Sequence, residues 1–297
     1  MKKIRLKSYG KVNMSLDVTG RRDNGYHDIE TVMQKISLFD DVTVSWIKKD
    51  CEDIEITLTC DKKYLPTDSR NLAFAAAQIM IRKFSSIVGG GVIKIHIDKH
   101  IPVSAGLAGG SGNGAAVMVA LNRLWELNLD TKELCVLGEE LGADVPFCIL
   151  SQNTRYGCAL CRGTGTELTP LKSRFKSAVI LVKPRFGVST AEVYQGIDGC
   201  NISKRPDNTA LTEGINKNLK NKIYENMINV LEEYTLNRYH EVRDIKEILE
   251  EETSAEKVLM TGSGPTVFAL FRSVKSAKKT CADMRKKGYL SYWATTL

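Results

Sequence analysis

Residues 102–117, PVSAGLAGGSGNGAAV, combine five glycines with the start of an alanine- and valine-rich helix. Glycine lets a backbone approach a ligand closely, and the first turn of a helix adds unpaired N–H groups and the positive end of the helix dipole. Ser111 contributes a hydroxyl within the same run. The pattern predicts a loop and helix N-terminus that bind an anion such as a phosphate chain. The alternative is a glycine-rich loop that binds no ligand and is either flexible or a point where a helix and a strand pack tightly.

Two well-known phosphate-binding motifs are absent from the sequence. The chain contains no GxxxxGK[ST] segment, which would form a P-loop. It also contains no GxGxxG between a strand and a helix with an acidic residue about 20 positions later. The glycine run therefore belongs to neither a P-loop protein nor a Rossmann dinucleotide-binding protein.

The pattern of apolar residues predicts strands and helices in both halves of the chain. In the first half it predicts strands at 11–18, 31–47, 53–60 and 92–98 and helices at 71–84, 112–127 and 131–142. In the second half it predicts strands at 177–184, 289–295 and twice within 257–271, and helices at 190–195, 223–236, 239–251 and 276–287. Because strands and helices do not alternate strictly, we expect an α+β protein with two domains, residues 1–165 and 166–297.

Composition limits the classes of protein to which the chain can belong. With 297 residues and 43% hydrophobic content it can bury one large core or two ordinary ones. The net charge of +7 is mild for this length and unlike that of a dedicated nucleic-acid-binding protein. No apolar run reaches the roughly 18 residues of a membrane span, and the N-terminal MKKIRLKSYGK lacks the apolar block of a signal peptide. We therefore expect a cytoplasmic protein without a membrane partner.

The eight cysteines are expected to be reduced thiols, because the cytoplasm does not sustain structural disulfides. Cys158 and Cys161 form a CxxC pair. A structural zinc site needs four ligands, and no second pair or histidine lies at a suitable spacing. We therefore interpret the pair as strand thiols rather than as a metal or redox site.

The glycine run and three further segments together resemble one family of enzymes. These segments are KVNMSLDVTGRRDNGYHDIETVMQ at 11–34, IDKHIPVSAGLAGGSGNGAA at 97–116, LGADVPF at 141–147 and TGSGPTVFALF at 261–271. In this order they resemble the GHMP small-molecule kinases, named for galactose, homoserine, mevalonate and phosphomevalonate. Within that superfamily they resemble the kinases that act on a CDP-linked methylerythritol.

The resemblance implies a fold and an activity. The fold is the two-domain α+β GHMP kinase fold, with an N-terminal domain like ribosomal protein S5 domain 2, which carries a left-handed βαβ crossover, and a ferredoxin-like C-terminal domain. The activity is transfer of the γ-phosphoryl group of ATP, with Mg²⁺, to the 2-hydroxyl of a small-molecule substrate, the CDP-linked methylerythritol. This reaction belongs to the methylerythritol phosphate pathway of bacterial isoprenoid biosynthesis, and it involves no nucleic acid.

The resemblance also assigns roles to particular residues. Asp144 matches the catalytic base, and Lys11 matches the cation that stabilises the attacking oxygen, although Lys11 alone would pass for a surface residue at the start of a strand. The residues that match ATP contacts are Asn71, Lys99, Pro102, Val103, Ala105, Gly106, Leu107, Ala108, Gly109, Gly110, Ser111 and Gly112. Those that match substrate contacts are Asn13, Tyr26, His27, Thr190 and Tyr194. Without the resemblance, Asn71 would be a helix N-cap, Lys99 an exposed lysine and His27 a loop histidine.

The glycine run departs from the family at two positions. Gly112 stands where the family has a second serine, and Gly114 adds another glycine. One hydroxyl near the phosphates is therefore missing, and the metal ligands are not identified by the sequence; Ser111 is the remaining candidate.

Three alternatives remain open on the sequence alone. The first is a GHMP kinase with another alcohol acceptor, against which the GRRDNGYH segment at 20–27 argues because a cytidine-binding loop has no use there. The second is a non-catalytic nucleic-acid-binding protein, suggested by the net charge of +7. The third is a pseudokinase that binds ATP as a regulator. The presence of both Lys11 and Asp144 argues against the last two.

Overall fold

The computed structural model describes residues 1–297, and the chain forms two compact units that interleave along the sequence. The first unit contains residues 1–10, 39–102 and 108–155, and the second contains residues 11–38, 103–107 and 156–297. Two long strands contribute to both units: β1 (Lys2–Arg21) and β2 (His27–Lys48). The division into residues 1–165 and 166–297 stays a prediction.

The first unit packs helices against a sheet. Its further elements are β3 (Ile54–Cys60), α1 (Leu72–Val88), β4 (Gly91–Asp98), α2 (Gly109–Leu124), α3 (Thr131–Glu139) and α4 (Val145–Asn153). Strands β3 and β4 pair in parallel, and α1 connects them along the chain. The end of β2 pairs antiparallel with β4. Alternate residues of these strands, such as Val44 and Ile95, are buried with the alanine-rich faces of α1 and α2. This core fixes the start of α2.

The second unit contains a hairpin and a four-stranded antiparallel sheet. The hairpin strands are β5 (Cys158–Arg162) and β6 (Glu167–Leu171), and β5 pairs with the first part of β2. The sheet has the order β10-β7-β9-β8, with β7 (Ala178–Lys183), β8 (Lys257–Met260), β9 (Val267–Phe271) and β10 (Leu290–Thr295). The helices are α5 (Thr190–Ile197), α6 (Asn208–Lys217), α7 (Lys220–Asn226), α8 (Glu232–Arg238), α9 (His240–Glu251) and α10 (Val274–Lys286).

The α+β class is confirmed, but one predicted helix is wrong. Instead of a single helix at 223–236, α7 and α8 are separate, because the backbone between them bonds to β1. Leu16 donates its N–H to Ile228 O at 2.9 Å and accepts from Val230 N at 2.9 Å. Asn229 also donates its side-chain amide to Met260 O and Gly262 O. These bonds hold the segment in extended conformation.

Sequence patterns also missed α4 and α6. Helix α4 is buried on nearly all sides, so it shows no apolar stripe that would reveal its period. No helix in the structure combines the length and the hydropathy that a membrane crossing requires.

Candidate active site

The glycine run enters α2 through a left-handed residue. Ala108 is the N-cap, with a φ of 55°, and Gly112 donates its N–H to Ala108 O at 2.8 Å. The N-cap residue, an alanine, forms no side-chain capping hydrogen bond with the N–H groups of the first turn. Such a helix start has the donors and the dipole that bind an anion.

Lys99 lies against the first residue of α2. A Cβ atom added at Gly109 would be 2.8 Å from Lys99 Nζ. The ammonium forms a buried ion pair with Asp40, whose other carboxylate oxygen accepts from the N–H groups of His100 and Ile101 at 2.7 and 2.8 Å. The alternative of an exposed lysine is therefore wrong, whereas contact of Lys99 with ATP stays a prediction.

Asn71 caps α1 as its sequence position suggests. Its Oδ1 accepts from Ala73 N at 3.0 Å, and its Nδ2 donates to Pro66 O at 2.9 Å. Helix α2 packs closely on this end of α1, because a Cβ atom at Gly114 would lie 3.1 Å from Leu72 O. The start of α1 and the start of α2 therefore lie together within the first unit.

Asp144 occupies the N-cap position of α4. Its side chain is half-buried and forms no capping hydrogen bond, and Pro146 follows within the first turn. A helix N-terminus attracts negatively charged groups, and Asp144 lies at this end of α4.

In the second unit Lys11 is buried and held by side chains around it. It is only 4% exposed, and its Nζ donates to Asn13 Oδ1 at 2.8 Å. Asn13 Oδ1 also accepts from Thr261 Oγ1 at 3.2 Å, and Asn13 Nδ2 donates to Thr31 Oγ1 at 2.9 Å. The predicted substrate residue Asn13 thus fixes the predicted catalytic lysine, and no sequence pattern indicates the two threonines.

The loop after β8 packs on residues 103–107. Gly106 has a φ of 66°, and a Cβ atom there would lie 2.7 Å from Thr261 O, so both the backbone angle and the space require glycine. The N–H of Lys11 donates to Leu107 O at 3.1 Å. In the same loop, Ser263 hydrogen-bonds Thr190 at 3.0 Å through their hydroxyls. These contacts bring Lys11, Gly106 and Thr190 into one neighbourhood of the second unit.

His27 and Tyr194 form an aromatic cluster at α5, beside the exposed Tyr26. Tyr26 is 67% exposed, whereas His27 is buried with its ring 5.4 Å from that of Tyr194, centroid to centroid. His27 Nε2 lies 2.7 Å from Asp198 Oδ1. Sequence reasoning missed Asp198, although Thr190, Tyr194 and Asp198 recur at the spacing of four residues that places them on one helix face.

Lys183, at the end of β7, is a further residue that the sequence pattern does not indicate as part of the site. It is buried, and burial lowers the pKa of its ammonium. Its Nζ lies 3.5 Å from Val103 O, in the loop that precedes Gly106. Because every residue of β7 is buried, the strand shows no alternation of buried and exposed positions, and the pattern does not indicate a charged residue at its end.

Comparison with known proteins places these features in a family. Residues 71–152 match the family described as "GHMP kinases N terminal domain", and residues 208–290 match "GHMP kinases C terminal".

Relatives and a solved structure match nearly the whole chain. The 4-diphosphocytidyl-2-C-methyl-D-erythritol kinase of Caldicellulosiruptor saccharolyticus is 42% identical over 95% of this chain and 92% of its own length. That of Alkaliphilus oremlandii is 44% identical over 94% and 91%. A crystal structure of 4-(cytidine 5'-diphospho)-2C-methyl-D-erythritol kinase superposes with a TM-score of 0.80 at 26% identity and covers 99% of both chains.

Proposed function

The chain belongs to the 4-diphosphocytidyl-2-C-methyl-D-erythritol kinases of the GHMP family, and from this premise we propose how its residues perform the reaction. The enzyme transfers the γ-phosphoryl group of ATP to the 2-hydroxyl of 4-diphosphocytidyl-2-C-methyl-D-erythritol, a step of isoprenoid precursor biosynthesis. The fold, family and activity expected from the sequence are thereby confirmed.

Asp144 is the base that accepts the proton of the acceptor hydroxyl, and Lys11 stabilises the negative charge that develops on the oxygen. Burial of Lys11 and its bond to Asn13 carry this proposal, because a buried ammonium is costly unless it is held for a purpose. The position of Asp144 at the start of α4, the end of a helix where acidic side chains are favoured, supports its assignment.

ATP phosphates bind at the glycine run, and Lys99 adds positive charge beneath Gly109. The uncapped start of α2 supports this assignment. Asn71, at the adjacent start of α1, is the proposed further contact with the nucleotide.

Mg²⁺ accompanies ATP in this proposal. No group of three or more His, Cys, Asp or Glu side chains could hold a metal ion by itself. This fits Mg²⁺, which keeps several waters and binds mainly through substrate phosphates with one or two protein oxygens. Ser111 provides a hydroxyl at the start of α2, where Gly112 provides none. When bound, the ion neutralises charge on the phosphates during transfer.

The cytidine end of the substrate binds at Tyr26, His27, Thr190 and Tyr194. The exposed ring of Tyr26 is free to stack on a pyrimidine, and the cluster of His27 with Tyr194 offers aromatic surface beside it. A cytoplasmic location is part of the proposal, since ATP and eight cysteines without a disulfide bond suit that compartment.

An ADP-release assay tests the acceptor directly. The enzyme is offered 4-diphosphocytidyl-2-C-methyl-D-erythritol, mevalonate and homoserine in turn. We expect turnover with the first compound only, and faster turnover with either simple alcohol would overturn the assignment.

Asp144→Asn tests the base. We expect kcat to fall by about 10²–10⁴-fold while the Kd for ATP stays within about twofold, because the variant loses proton transfer and not binding. Asp130→Asn is the matched control: Asp130 caps α3, asparagine caps equally well, and the same charge is removed. Wild-type turnover in Asp144→Asn would show that another group is the base.

A further inference from the structure

Asp198 holds the ring of His27 in one orientation. Its Oδ1 lies 2.7 Å from Nε2, and the His27 side chain is only 4% exposed. The other carboxylate oxygen, Oδ2, pairs with Arg21 at 3.1 Å, so the carboxylate itself is fixed from a second side. A carboxylate accepts hydrogen bonds and does not donate them, so Nε2 carries the hydrogen.

This contact determines what the other ring nitrogen can do. In a neutral imidazole with hydrogen on Nε2, Nδ1 has a lone pair and acts as an acceptor. An acceptor attracts an amino group and repels a carbonyl oxygen. Cytosine and uracil differ at this point, because cytosine has an exocyclic amino donor where uracil has a carbonyl acceptor.

We propose that Asp198 is a positioning residue that selects a cytosine base through the tautomer of His27. The inference rests on the proposed binding of the cytidine end at Tyr26, His27 and Tyr194. Asp198 directly follows α5, one turn beyond Tyr194. The same helix therefore places the ring of Tyr194 beside His27 and orients the imidazole that would hydrogen-bond the base. A site built to hydrogen-bond one group rejects the analogue that lacks it.

Nitrogen-15 NMR of the free enzyme reads the tautomer without substrate. The chain has four histidines, and the signal that disappears in His27→Gln identifies His27. We expect hydrogen on Nε2 and an unprotonated Nδ1 in the wild type at pH 8, and a mixture of tautomers in Asp198→Ala. Hydrogen on Nδ1 in the wild type would overturn the inference.

Kinetics with the cytidine substrate and its uridine analogue give the second readout. In Asp198→Ala we expect KM for the cytidine substrate to rise by about 10-fold, the preference over the uridine analogue to fall by a similar factor, and kcat to change little. Asp198→Asn retains an acceptor oxygen and should recover most of the preference. Asp283→Ala, which removes an exposed carboxylate from α10, is the control.

The variants separate failure of this inference from failure of the proposed site. If His27→Gln raises KM but Asp198→Ala leaves KM and base preference unchanged, His27 binds the base without help from Asp198 and the inference is wrong. If His27→Gln also leaves both unchanged, the cytidine end binds elsewhere and both proposals are wrong.

Discussion

In the proposed mechanism, the buried charge of Lys11 serves catalysis rather than stability. Its ammonium is nearly enclosed and bonds to Asn13, which the threonines at 31 and 261 hold in place. Burial of an ammonium costs free energy that only a specific use of the charge justifies.

Lys11→Met should separate the effect of the charge on catalysis from its effect on stability. Methionine has a similar volume and no charge, so we expect kcat to fall by about 100-fold or more while the melting temperature stays equal or rises. Steady-state kinetics and thermal unfolding measure the two quantities. A clearly lower melting temperature in Lys11→Met would mean that Lys11 is mainly structural.

Ser8 and Gly112 form a tightly packed pair beside α2. A Cβ atom at Gly112 would lie 2.6 Å from Ser8 Oγ, and this buried hydroxyl has no hydrogen-bond partner. The serine that the family has at position 112 is thus replaced by a glycine against which a hydroxyl from β1 packs.

A double-mutant cycle tests that pairing. Gly112→Ala should lower the free energy of unfolding by about 1–3 kcal/mol through overpacking. Ser8→Ala should be neutral or stabilising by about 1 kcal/mol, because it removes an unsatisfied buried hydroxyl. In the double variant the cost of Gly112→Ala should shrink by at least about 0.5 kcal/mol, measured by urea unfolding. Strict additivity would contradict the contact.

At the scale of elements, the start of α2 contains backbone strain. Ala108 adopts a φ of 55°, and Ser104, earlier in the same loop, has a φ of 51°. Residues with a Cβ avoid this region, and such outliers concentrate at binding sites.

Ala108→Gly should relieve this strain. The left-handed conformation costs alanine about 1–2 kcal/mol, and the greater flexibility of unfolded glycine offsets about 0.5–1 kcal/mol of the gain. We expect a net stabilisation of up to about 1.5 kcal/mol in urea unfolding. Ala191→Gly, at an exposed helical position of α5, is the control and should destabilise by about 1 kcal/mol. Destabilisation by both changes would argue against strain at Ala108.

The sequence predicts the elements whose signals are local. Helix α2 has a glycine-rich start and strand β4 has clean alternation, and both are found where the pattern indicates. Elements decided by distant contacts cannot be predicted in this way. Asn229 interrupts a helical pattern because β1 bonds to its neighbours, and Asp198 contacts His27 only because α5 lies against that residue.

At the scale of the whole molecule, burial sorts the cysteines by reactivity. Cys51 is the one exposed thiol of eight. Burial raises the pKa of the Cys135 and Cys158 thiols to about 12 and also raises the pKa of Cys60 and Cys200. Only thiolates react with disulfide reagents.

A disulfide reagent at pH 8 should therefore modify one thiol rapidly. We expect Cys51→Ser to abolish the fast phase, and the remaining cysteines to react only after unfolding in urea. A second fast phase in the native variant would contradict this expectation and would point first to the partly exposed thiols of Cys60, Cys135 and Cys200.

The hydrogen bond from Asn13 to Thr261 joins residues 248 positions apart. A ribosome adds about 5–20 residues per second, so residue 13 is synthesised roughly 12–50 s before residue 261. During that interval Asn13, to which Lys11 bonds, lacks its partner at residue 261. A nascent chain that stalls before residue 261 therefore carries Lys11 without the threonine that helps to hold Asn13.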